Sequence, residues 1–299
     1  VDGLSAPWSE LLGPLLPAVS AGLIAGLSFS IVDAAAGGWA AALAALVVVA
    51  LPGFAPLHSS SLDGPPLTAI TLLMIAVMVY APRFSLGYGI LAAVAAVFVS
   101  PAGMGLPVAA IAWATFMRRP SDRGGWTRVL FAVLPVIAAI ALGQAVGDGW
   151  PNDWEFGWRG RLDDGLRAAG SIIGHQLAPT IETPALRFFA IADITLLLGA
   201  LMVVAWRRIR RLTAFDALPA RFHPVLGFTA VALCVGLALR WLLVPASPEP
   251  DLAAVFPLVV LVALASVGSA AQLWRNWPRW GKLLALVLFV GWLQAAVRV

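Results

Sequence analysis

Charge is scarce in this chain. Of 299 residues, 19 are Lys or Arg and 15 are Asp or Glu, so charged side chains make up 11%, against about 25% in a soluble domain. Too few polar side chains are present to clothe a water-soluble surface of this size, and a single core could not hide the remainder. Lysine is nearly absent, with Lys282 alone among the basic residues. Cysteine is limited to Cys234, which excludes an intrachain disulfide and a cysteine metal site. Histidine occurs only at His58, His175 and His223, widely separated in the chain. No Walker loop, dinucleotide-binding glycine pattern, HExxH pair or GxSxG serine is present, so soluble nucleotide or serine-hydrolase chemistry has no support.

What fills the chain instead is apolar. Hydrophobic residues reach 61%, and mean hydropathy is +0.92. We read an all-α, polytopic integral membrane bundle, with residues 1–299 as a single transmembrane domain. A span needs about 20 apolar residues, and ten segments qualify at or near that length: 11–32, 38–57, 66–82, 86–100, 103–117, 129–147, 187–206, 224–245, 252–274 and 283–297. The sequence PAGMGLP at 101–107 predicts that the fourth and fifth are broken or tilted.

The arginines set an orientation. With all ten segments crossing, one side collects 13 basic and 3 acidic residues, and the other 5 basic and 11 acidic. The basic side includes Arg83, Arg118, Arg119, Arg128, Arg221 and Arg275 and is predicted to be cytoplasmic. Both termini then lie on the outer, periplasmic side of a bacterial inner membrane. The pI of 10.2 reflects these runs between apolar segments rather than a nucleic-acid surface, and no nucleic-acid partner is expected. His223 falls on the basic side and the other two histidines outside, so a three-histidine metal site is excluded.

The longest polar stretch, 148–186, is an outer loop. Trp150, Trp154 and Trp158 recur every four residues, followed by Leu162, Leu166, Ala169 and Ile173. This pattern fits amphipathic helices lying on the membrane surface; an aromatic belt is the simpler reading of the tryptophans.

Few residues can carry chemistry. Asp63, in HSSSLDGPPLT just outside the third segment, can hold a divalent metal, act as a base, or cap the following helix. Asp193 and Arg240 lie within the membrane one to two turns from its outer edge, where ionisable groups are costly. They suit either an ion pair with each other or, for Arg240 together with Arg187, a grip on a phosphate.

Residues 15–119 resemble part of the core of the GT-C glycosyltransferases that use polyprenyl-phosphate sugars, among them the protein O-mannosyltransferase and aminoarabinose-transferase-like enzymes. The likeness runs through LLPAVSAGLIAGLSFSIVDAAAGGWAAALAALVVVALPGF, then HSSSLDGPPLTAITLLMI, then FSLGYGILAAVAAVFVSPAGMGLPVAAIAWATFMRR. It implies that Asp63 assists metal or donor-phosphate binding on the outer face, and that the donor is a polyprenyl-phosphate-linked sugar. The resemblance begins after the region where such enzymes carry a further helix and a large outer loop with their principal catalytic acid. It therefore implies an N-terminally shortened relative. His58, Ser59 and Ser60 also stand where relatives commonly have an arginine. Two functions compete on this basis. One is sugar transfer at the outer face, with the carrier lipid entering past the 150–177 helices. The other is a non-catalytic scaffold subunit in a larger membrane assembly, which the absent loop and the outer tryptophans favour. A transporter comes third, since no inverted repeat is visible.

Overall fold

In the computed structural model, residues 6–51, 53–54, 64–99, 101–117, 125–146, 165–167, 169–173, 218–243 and 252–276 are described. Among them every regular element is helical: α1 (Ala6–Ala36), α2 (Gly38–Val49), α3 (Gly64–Tyr80), α4 (Ser85–Val94), α5 (Leu106–Phe116), α6 (Gly125–Val146), α7 (Leu218–Leu243) and α8 (Leu252–Asn276). Eight of the ten apolar segments expected from the sequence fall here, and all eight are helical. The segments 187–206 and 283–297 lie outside the described residues, so the number of spans is not fixed at ten.

Among the described residues, four helices are long and apolar enough to cross a membrane: Ala18–Ala36, Gly125–Leu142, Leu218–Leu239 and Leu252–Gln272. The chain is a membrane-embedded helical protein. Its other apolar helices are short: α2 has 12 residues, about 18 Å at 1.5 Å per residue, against a hydrocarbon core of about 30 Å.

Helix α3 is the centre of the bundle. It packs against α1, α4, α7 and α8, and Leu67, Thr68, Leu72, Met74, Ile75, Met78 and Val79 are all buried around its circumference. A helix that is apolar on every side has no face for water and takes such a position. The hydroxyl of Thr71 is satisfied within the helix, donating to the Leu67 carbonyl at 2.7 Å, and Thr229 does the same to Val225 at 2.9 Å. Helix α6 is peripheral. Leu130, Phe131, Leu134, Ile137 and Leu142 are exposed on it, the face a lipid-contacting helix presents.

The sequence PAGMGLP does break the helical path. Beyond α4 the chain passes through a π turn (Ala95–Val99) and a 3-10 turn (Pro101–Gly105) before entering α5. The two arms fold back on each other. A methyl group added at Gly103 would lie 2.5 Å from the Ala95 carbonyl oxygen, a contact that only a reversed chain brings about. The first turns of α6 touch both ends of this hairpin: Arg128 donates to the Met117 carbonyl at 3.3 Å, while Gly89 lies against the Ala132 backbone. Residues 84 and 117 therefore sit at the same end of the bundle. Each arm, of about 15 residues, reaches only some 20–25 Å.

The tip of the hairpin leans on α7 through small residues. A methyl on Gly105 would collide with the Ala232 carbonyl, and one on Gly236 would come 2.5 Å from the Ala102 carbonyl oxygen. Backbones approach this closely only where side chains are missing, and in a membrane such contacts replace the hydrophobic drive that lipid removes.

Candidate functional site: the two ends of the bundle

One end is held by a network that joins helices far apart in sequence. Arg221, near the start of α7, donates to the Val79 carbonyl at the end of α3, 3.1 Å away. The Tyr80 hydroxyl donates to the Ser30 carbonyl of α1. His223 and Gln272 meet at 3.1 Å between α7 and α8, and the Trp39 and Trp274 rings lie 6.2 Å apart. The α1–α2 turn is made by Gly37, whose φ of +86° requires glycine and whose open flank admits the Arg275 guanidinium: an added methyl would be 2.6 Å from Nη2. Arg83, Arg128, Arg221 and Arg275 thus share this end with Asp33. Among the described residues, this end therefore carries four basic groups and one acidic group.

The opposite end follows from the antiparallel helices. It holds the end of α2, the start of α3 at Gly64, the end of α7 at Leu243 and the start of α8 at Leu252. Arg240 lies on the last turn of α7, and Asp63 immediately precedes Gly64 in the sequence. Asp63 and Arg187 themselves lie outside the described residues, as do Asp193, His58, His175 and the tryptophans at 150, 154 and 158. Among the described residues no three His, Cys, Asp or Glu side chains gather as metal ligands. Of the 148–186 loop, residues 165–167 and 169–173 are helical. Ala169 is buried there, Ile172 and Ile173 rest against the apolar core, and Leu166 is exposed.

Two features escaped the sequence reading. His223 is buried and faces Gln272 rather than lying free at the basic surface. Its Nδ1 and the hydroxyls of Ser266 and Ser269 on α8 are buried with no hydrogen-bond partner among the described residues. The second is the pocket that Arg83 and Arg221 line together with Tyr80 and Phe84. The spacing of Ser266, Ser269 and Gln272 three apart is the only sequence signal of the first. Nothing local signals the second, because α3 and α7 are joined through 142 positions.

The chain matches no protein-family model, no curated protein and no solved structure.

Proposed function

We propose that the chain is a GT-C-like membrane glycosyltransferase in a bacterial inner membrane, with its arginine-rich end in the cytoplasm and both termini periplasmic. It transfers a sugar from a polyprenyl-phosphate carrier at the arginine-poor face. The observation that carries this reading is the common end of α3 and α7: the helix that follows Asp63 starts where the helix bearing Arg240 finishes. This antiparallel arrangement supports reading the two candidates, 177 positions apart in number (63 and 240), as neighbours on one membrane face. In this reading Asp63 holds a divalent metal or orients the donor phosphate, and Arg240 with Arg187 grips the lipid phosphate through charge-assisted hydrogen bonds. Transfer needs a donor fixed beside a base, and fixing it supplies much of the rate.

The test is transfer by the full chain in proteoliposomes loaded with polyprenyl-phosphate hexoses. Asp63→Ala is expected to lower transfer by roughly 100-fold or more, the scale of a lost acid–base group. Unchanged transfer in that variant contradicts the assignment. An inactive wild-type protein that copurifies with a stoichiometric membrane partner would replace it with the scaffold reading.

A further inference from the structure

At the arginine-rich end, an open pocket of about 540 Å³ is lined by Tyr80, Ala81, Pro82, Arg83, Phe84 and Arg221. Among the described residues, no carboxylate lines it. Arg83, from the turn after α3, and Arg221, from α7, line one space, which an orientation signal alone does not require: positive charge anywhere on this side satisfies that rule.

We infer that this pocket binds the phosphate of an anionic lipid headgroup from the arginine-side leaflet. The reading is independent of the transferase proposal, which concerns the other end of the bundle. Arg221 is partly buried and fixed by its bond to the Val79 carbonyl, so its planar donor array is held in place rather than waving in solvent. Arg83 is exposed on the turn after α3, which Pro82 terminates. A phosphate accepts from such a pair in bidentate fashion, and basic pockets between membrane helices on this side suit anionic headgroups.

The surroundings favour a lipid over a soluble anion. Phe84 is exposed, its ring folded over Gly87 so closely that a methyl there would overlap it. Leu86 and Ile90, four residues apart on one face of α4, are exposed and lead from the pocket toward the membrane interior. Tyr80, tied to Ser30, forms the other aromatic wall. Phosphate needs the arginines; only an acyl chain needs the apolar track beneath them.

The full chain, released in mild detergent, is examined by native mass spectrometry with phosphatidylglycerol and phosphatidylcholine in equal amounts. Wild type is expected to retain phosphatidylglycerol in clear preference, and Arg83→Gln to reduce that occupancy roughly tenfold, as for loss of one charge-assisted hydrogen bond. Arg83 carries the test because it is exposed, whereas Arg221 also secures Val79. Arg275→Gln removes the same charge from the same end outside the pocket and is expected to leave occupancy unchanged. Equal loss in both variants, or no preference in wild type, overturns the proposal. Displacement of the lipid by millimolar inorganic phosphate overturns it too, and names a soluble anion as the occupant.

Discussion

Gly105 and Gly236 show how much of this bundle depends on side chains that are not there. Each lies in backbone contact across the α7–hairpin seam, so a Cβ on Gly105 must displace the Ala232 carbonyl. Gly105→Ala is expected to cost about 1–3 kcal/mol, as overpacking does. Gly22 in α1 has nothing within 4 Å of such a methyl, and Gly22→Ala is expected to be neutral or stabilising by up to about 1 kcal/mol through helix propensity. Unfolding of both variants in SDS, followed by circular dichroism, checks the pair; equal midpoints contradict the seam. The glycines in PAGMGLP were legible as a break, because proline and glycine disturb any helix. Their partner was not, because glycine spacing carries no address for the helix it will touch. The same holds for His223, whose pairing with Gln272 depends on the register of two helices against each other.

Among the elements, apolar runs were read correctly because hydrophobic length is local. Wherever the structure describes an expected segment, a helix stands there, though the ends move: 66–82 became Gly64–Tyr80, 38–57 shortened to Gly38–Val49, and 224–245 became Leu218–Leu243. Hydropathy could not distinguish the central α3 from the lipid-facing α6, since both are equally apolar in sequence and differ only in what surrounds them. The orientation of α7 makes a separate prediction through the chain's sole thiol. Cys234 lies in the apolar helix Leu218–Leu239 and is exposed on its surface; a spanning α7 surrounds it with lipid rather than water. A membrane-impermeant maleimide is expected to leave Cys234 unmodified in intact membranes and to react once SDS disperses the bilayer. Rapid modification of intact membranes contradicts α7 as a spanning helix.

For the whole molecule, the account rests on a division of polar groups between two ends. The arginine end is a hydrogen-bonded network that ties α1, α3, α7 and α8 together, with a pocket suited to a lipid phosphate. The other end receives the helix termini next to Asp63 and Arg240, the chemistry that the proposed sugar transfer uses. Charge counting along the sequence predicts such a division, since a net imbalance needs no knowledge of contacts. It could not find the pocket, which exists only because α3 ends where α7 begins. The most direct measurement is sidedness labelling in a Cys234→Ser chain that carries either Arg83→Cys or Asp63→Cys. The account predicts that an impermeant maleimide reaches position 83 only in inverted vesicles and position 63 only in right-side-out cells. Labelling of both positions from the same side would contradict the two-ended arrangement and the function assigned to it.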